Sequence, residues 1–188
     1  MIDIVPYKSD WPDEFQEIAF NLRKGMGELA LRIDHIGSTS VPGLSAKDVI
    51  DIQISVKKLD TQIITGMTSL GYKQLKRVTR DHCPPGSPDK IEEWEKMLFL
   101  PSSGQRRTHI HIRKQGRANQ RYALLFRDYL RQHPATAEAY AELKSRLAQH
   151  LADPAMYPEV KDPAVDLIYL PAEQWAVDTL WRQGESDA

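Results

Sequence analysis

The sequence predicts an α+β domain covering residues 1–188. A mixed β-sheet flanked by helices occupies residues 1–115, and a mainly helical part occupies 116–188. Three observations predict it. Strand-like runs alternate with helix-like apolar spacing through the first part. The run Ile50-Asp51-Ile52-Gln53-Ile54-Ser55-Val56 puts four β-branched residues on one face and three polar ones on the other, the period of a strand. The remainder shows apolar residues three and four apart, the period of helices.

The elements follow in order. Residues 2–5 read as a short strand or extended arm ended by Pro6. Asp10 can cap a helix with Pro12 in its first turn, where the missing N–H costs little. Phe15, Ile18, Ala19, Leu22, Met26 and Leu29 then recur on one face. Residues 31–36 form a first strand and 47–56 a second. Asp60 caps a helix carrying Ile63, Ile64, Met67 and Leu70, which Gly71 stops. A third strand covers 72–78. Residues 80–94 form a surface loop, because Pro84, Pro85 and Pro88 exclude helix and central strand alike. Residues 97–100 and 107–113 are two more strands. In the latter Ile110 and Ile112 are buried, and His109 and His111 share the other face. Tyr122, Leu125, Phe126 and Tyr129 mark a helix broken at His133-Pro134. Tyr140, Leu143, Leu147 and Leu151 mark another, and 171–182 a last one with Trp175 and Leu180 inward.

Composition excludes several classes. The formal net charge of -1 gives no basic field for nucleic acid or an anionic membrane. The single cysteine, Cys83, forms no internal disulfide and fits a reducing compartment. The first twelve residues lack a signal pattern, and no apolar run nears the ~20 residues of a membrane span. A soluble, cytoplasmic protein is expected.

The polar turn His35-Ile36-Gly37-Ser38-Thr39-Ser40-Val41-Pro42-Gly43-Leu44 is the main candidate site. Gly37 admits backbone conformations that a side chain forbids. Ser38, Thr39 and Ser40 then crowd hydroxyl and N–H groups that can cap a helix or grip a phosphate. Asp51 can ligate magnesium, which prefers oxygen ligands, or pair with Arg107 or Arg113. His109 and His111 can ligate a metal, move a proton, or hydrogen-bond across strands beside Asp51. A site shared by Asp51, Gln53, His109 and His111 requires their two strands to be near neighbours. Lys47, Arg107, Arg113, Arg117, Arg121 and Arg127 can form an anion-binding rim, or a solvated surface with local pairs such as Asp128 with Arg131. A zinc site completed by His82 and Cys83 lacks paired-cysteine spacing.

That turn, Val49-Ile50-Asp51-Ile52 and Phe126-Arg127-Asp128-Tyr129-Leu130-Arg131 together resemble the GrpB family. Val5-Pro6-Tyr7, Trp11-Pro12, Leu143-Lys144, Tyr157 and Lys161 fit as well. The resemblance implies a nucleotidyltransferase-like fold. It also implies kinship with domains fused to dephospho-CoA kinase, although no Gly-x-x-x-x-Gly-Lys-Ser/Thr loop occurs here. Two departures stand out: family members usually carry Pro at the place of Asp48, and Gln53 replaces the second carboxylate of the superfamily's metal motif. By this resemblance Gly37, Ser38, Thr39, Ser40, Lys47, Gln53, Arg107 and Arg113 would bind a nucleotide or other phosphorylated small molecule. Asp51 would hold magnesium, and His109 and His111 would assist catalysis. The alternatives are a non-catalytic module that binds a ligand or partner, linked to coenzyme A metabolism by association, and a metal-dependent hydrolase built on His109 and His111.

Overall fold

A computed structural model describes residues 2–188; Met1, which falls within the domain expected above, lies outside the described residues. Helix α1 (Trp11–Met26) precedes β1 (Arg32–Ile36), and a single 3₁₀ turn, Ser38–Ser40, leads toward β2 (Ile50–Val56). Helix α2 (Thr61–Ser69), β3 (Tyr72–Gln74), the four-residue α3 (Ile91–Trp94), β4 (Lys96–Pro101) and β5 (Thr108–Lys114) follow. Helices α4 (Ala118–Gln132), α5 (Pro134–His150) and α6 (Tyr157–Asp178) end the order. No described helix is long and apolar enough to cross a membrane.

The sheet is mixed, in the order β1-β2-β5-β4-β3. Its centre is the parallel pair β2 and β5, and every other pairing is antiparallel. The register aligns Asp51 with His109, Ile52 with Ile110 and Gln53 with His111. One face of this pair is apolar. Ile50, Ile52, Ile54, Ile110 and Ile112 pack there with Phe15, Ala19, Leu22 and Met26 of α1 and with Ile63 and Met67 of α2. Each such isoleucine is fully buried, so cutting one to alanine costs about 2–5 kcal/mol. That interior fixes the strand faces, because a slip by one residue would carry the isoleucines out and the polar set in. Asp51, His109 and His111 therefore look out from the opposite face.

Several boundaries differ from expectation. The second strand begins at Ile50, because the Val49 N–H turns back to the Lys47 carbonyl at 2.8 Å. Asp48 thus leaves the strand; it accepts from Trp11 Nε1 at 2.9 Å and Lys8 Nζ at 2.8 Å, and also pairs with Arg106. These donors hold its carboxyl down to about 2 against the effect of burial. The third strand stops at Gln74, where a turn carries the Val78 N–H to the Leu75 carbonyl at 3.0 Å. The loop through Pro84, Pro85 and Pro88 closes with α3, outside its proline-rich stretch. The last helix starts at Tyr157, and Pro163 and Pro171 lie inside it. Tertiary burial of Val165, Tyr169, Ala172 and Ala176 outweighs the backbone bonds that the prolines remove. Leu180 lies past the helix end at φ 52° and is exposed. Residues 184–188 run along β1, where the Ala188 N–H reaches the Ile33 carbonyl at 3.1 Å.

Candidate functional site

The polar face of β2 and β5, the Ser38 turn and helices α4, α5 and α6 enclose a cleft of about 560 Å³. Gly37 and Asp51 make its floor. Gly37 sits at φ 70°, ψ −171°, a region open essentially to glycine alone. A Cβ there would lie 2.4 Å from Asp51 Oδ2, so the glycine is also what lets the turn pass the carboxylate. Asp51 Oδ1 accepts from His109 Nδ1 at 3.1 Å and lies 4.0 Å from His111 Nε2. The partner of the strand aspartate is thus histidine; neither Arg107 nor Arg113 reaches it.

Behind His111 is a buried ionic cluster. Asp81, from the proline-rich loop, accepts from Arg113 Nε at 2.8 Å, Lys96 Nζ at 2.6 Å and Asn119 Nδ2 at 3.1 Å. These cations hold its carboxyl well below the usual range although burial pushes the other way. His111 Nδ1 faces Lys96 Nζ and Arg113 Nη2, each at 3.4 Å. Both neighbours only donate, so Nδ1 must accept and the neutral ring carries its proton on Nε2. Burial and the same two cations push the His111 pKa well down, which keeps the ring neutral. His111 therefore presents an N–H to the cleft. His109 is the reverse: its Nδ1–H goes to Asp51, and its Nε2 lone pair is left available.

A second wall carries lysines. Lys144 of α5 is buried; it donates to Ser38 Oγ at 2.9 Å and to the Ser45 carbonyl at 2.5 Å. Its ammonium lies 4.7 Å from the Tyr140 ring centre. Lys47 lies 3.8 Å above the Tyr157 ring, and Lys161 lines the same side. Among the described residues none of these three lysines has a carboxylate within salt-bridge distance. Burial first, then Lys161, brings Lys144 down to about 7, and the same two causes lower Lys47. The cations elsewhere in the cleft have carboxylate partners: Arg80 pairs with Asp89, and Lys96 and Arg113 share Asp81; His82 Nε2 lies 2.9 Å from Asp166.

The structure thus brings Gly37, Ser38, Thr39, Lys47, Asp51, His109, His111 and Arg113 to one cleft. It does not bring three other candidates there. Gln53 is fully buried away from the cleft, with Nε2 donating to the Gln120 carbonyl at 3.1 Å and Oε1 accepting from Arg113 at 2.7 Å. Ser40 Oγ closes its own turn onto the Gly37 carbonyl at 2.6 Å. Arg107 is exposed outside the cleft lining. Thr39 lines the cleft, but its hydroxyl lies 3.0 Å from His35 Nε2 and 3.3 Å from the Val49 carbonyl. Of the wider rim, Arg117 pairs with Glu93, Arg121 with Glu173, and Arg127 with Asp128 and Asp187. Sequence reasoning missed the roles of Asp81, Lys96 and Lys144. A signal existed for Lys144: it falls four residues after Tyr140, on the buried side of α5.

Asp51, His109 and His111 bring their ligand atoms within 4.8 Å of one another. His111 cannot give a lone pair from an Nε2 that bears the proton, and His109 Nδ1 gives its own proton to Asp51, so the donor left for an ion beside these rings is the Asp51 carboxylate. Gln53 and Asp81 are spent on Arg113. The chain's own strand residues thus suit one oxygen-seeking ion that shares a ligand's phosphate oxygens, and do not suit a site of two ions held by carboxylates. Cys83 stays apart from this group, its Sγ 3.7 Å from the Pro84 carbonyl.

A family model described as GrpB protein matches residues 1–170. The chain is 34% identical over 197 residues to a dephospho-CoA kinase of Mycolicibacterium paratuberculosis, covering 96% of this chain and 48% of that protein. It is 32% identical over 178 residues to UPF0157 protein YqkA of Bacillus subtilis, covering 93% of this chain and 48% of the relative. The chain therefore spans about half the length of these curated relatives. The crystal structure of conserved protein GrpB from Enterococcus faecalis superposes with a TM-score of 0.71 at 28% identity, covering 92% of this chain and 99% of that one.

Proposed function

The chain belongs to the GrpB family, and from that premise we propose that its cleft binds a nucleotide or other phosphate-bearing small molecule. The observation that carries this reading is the set of lysines 47, 144 and 161, which line one cleft without carboxylate salt-bridge partners, Lys144 against Ser38. Unneutralised cations are kept in a partly buried wall only at a cost in stability, and an anionic ligand supplies the missing charge. Tyr122, Phe126, Tyr140 and Tyr157 add an aromatic lining suited to a planar ring. The relatives named dephospho-CoA kinase add coenzyme A precursors to the candidate ligands by association.

The same cleft has parts that could serve displacement at phosphorus, the chemistry of nucleotidyltransferases, whose fold the GrpB resemblance implies. His109, oriented by Asp51, can take a proton from an acceptor at Nε2. His111 Nε2–H can donate to a phosphoryl oxygen. Asp51 would hold magnesium together with the ligand's phosphates, and the ion would neutralise charge as the phosphorus is attacked. A non-catalytic binding module is the second reading; it is favoured by Gln53, whose buried hydrogen bonds leave the cleft with no second strand carboxylate.

Thermal unfolding against ATP, AMP, coenzyme A, dephospho-CoA and inorganic phosphate, with and without magnesium, tests both. A ligand at a hundredfold its Kd stabilises by about 2.7 kcal/mol, roughly 5–10 °C for a chain of this length. A shift with a phosphate ligand supports binding. Loss of its magnesium-dependent part in Asp51→Ala supports the ion's place. No shift with any phosphate, in a folded protein, refutes the reading.

A further inference from the structure

The Ser38 corner differs from the rest of the cleft in how its charge is settled. Lys96 and Arg113 share Asp81, whereas Lys144 has only neutral partners: Ser38 Oγ, the Ser45 carbonyl and the Tyr140 ring. The charged and titratable groups facing this corner from neighbouring elements are Lys47 beyond the turn, Asp51 on β2, and Tyr157, Lys161 and Asp162 on α6. Asp51 is committed to His109. Three lysines face the two carboxylates Asp51 and Asp162 here, neither of them a direct partner of a lysine, so one positive charge is left in excess when Lys144 holds its proton.

Resting on the phosphate-binding reading, we infer that this corner is the seat of a terminal phosphate, a doubly charged monoester end rather than a diester, and that a proton enters Lys144 together with it. The geometry supports the choice. Lys144 meets the Ser38 hydroxyl at 2.9 Å, and Lys47 and Lys161 line the same cleft, which suits the several oxygens of a group bonded to the ligand through one ester link. A diester offers one negative charge and two substituents, and would leave the wall short of charge and crowded. Burial brings Lys144 to about 7 in the free protein, so the amine is mostly neutral at pH 8. A dianion placed against it restores the ammonium. The proton comes from solvent, no covalent bond changes, and the ligand, already a dianion at pH 8, gives up none.

The test uses the whole chain at pH 8 in EDTA, with phenyl phosphate as the monoester and methyl phenyl phosphate as the diester. Calorimetry in buffers of different ionisation heat reads the protons taken up. The expected result is at least tenfold tighter binding of the monoester, with roughly nine-tenths of a proton taken up per ligand, the neutral fraction of a group of pKa about 7 at this pH. Lys144→Arg, permanently charged, should still bind the monoester but take up no proton. Lys144→Met should lose the tenfold preference. A Lys144 that merely props the Ser38 turn would change stability in these variants and leave proton uptake untouched. Equal binding of the two esters, or uptake unchanged in Lys144→Arg, overturns the inference and leaves the anion cleft standing. Failure of either ester to bind, together with an absence of thermal shifts across the phosphate panel, overturns both.

Discussion

Gly37→Ala tests the floor of the cleft. The backbone at φ 70°, ψ −171° costs a residue with a side chain about 1–3 kcal/mol. The new Cβ would also fall 2.4 Å from Asp51 Oδ2 and 3.0 Å from its Cγ. Relief requires the carboxylate to rotate off His109, which forfeits a hydrogen bond to a charged group worth about 1.5–3 kcal/mol. Together the two effects destabilise by roughly 3–5 kcal/mol, of the order of 10 °C in Tm for a chain this long. A double-mutant cycle separates them. In an Asp51→Ala background the carboxylate contacts are gone, while the backbone strain and the 2.9 Å approach to the Cβ of residue 51 remain, so Gly37→Ala should cost about 1.5–3 kcal/mol less there. Chemical denaturation of the four proteins measures that coupling. A coupling within 0.5 kcal/mol of zero would refute the claim that Gly37 is glycine because of Asp51.

Three further outcomes follow from the hydrogen bonds around the cleft. Gln53→Glu should destabilise by about 1–3 kcal/mol, because the Gln120 carbonyl loses its donor; a gain in magnesium-dependent stabilisation, read in the same melts, would show that the position does face the cleft. Asp81→Asn should cost about 3–5 kcal/mol at pH 7 by stranding Lys96 and Arg113. Asp81 is held below its unfolded value of 3.8, so its contribution is present above that pH and is lost as pH falls below it. Denaturation curves of the variant and the unsubstituted protein should therefore converge in acid. His35, buried against Phe15 with ring centres 4.7 Å apart, is brought to about 4 by burial. The unfolded chain binds the proton first, so stability should fall by roughly 3 kcal/mol as pH drops from 6.5 to 4. A His35→Gln variant that kept the full slope would assign that proton elsewhere.

How far the fold and site could be read from the sequence follows from what each signal reports. The isoleucines of β2 and β5 announce their strands because a half-buried strand must alternate, and the same alternation puts Asp51, His109 and His111 on one face. Alternation is silent on neighbours, however. That β2 lies beside β5, in parallel and in a register aligning Asp51 with His109, is a property of the whole sheet. Gln53 shows the same limit more sharply: it shares a face with Asp51, yet α4 covers it and presents the Gln120 carbonyl. The prolines misled in one place and informed in another. Pro163 and Pro171 lie within α6, because local preference yields to the burial of Tyr169 and Ala172. Pro84, Pro85 and Pro88 do mark a loop, but nothing in their spacing says that Asp81 at its start reaches into the polar face of the sheet. Long-range ion pairs leave no periodic trace.

Lys144 left one, since a lysine on the buried stripe of a helix contradicts the pattern around it, and such contradictions concentrate where function opposes stability. That opposition can be measured. The unfolded chain holds the Lys144 proton up to about 10.5, whereas the folded chain releases it at about 7. The burden on folding is therefore full below pH 7 and is relieved as pH rises toward 10.5, a difference of roughly 3–5 kcal/mol. Methionine fills similar volume without the charge. It forfeits the bonds to Ser38 and Ser45, about 1 kcal/mol each. On balance Lys144→Met should unfold at a higher temperature than the unsubstituted protein at pH 7, with the gain shrinking by pH 10. A phosphate ligand should lift the melting point of the unsubstituted chain and barely move the variant's. A variant less stable at pH 7, with a deficit independent of pH, would show that Lys144 stabilises the Ser38 turn as an ordinary buried hydrogen-bond donor and does not hold the corner ready for an anion.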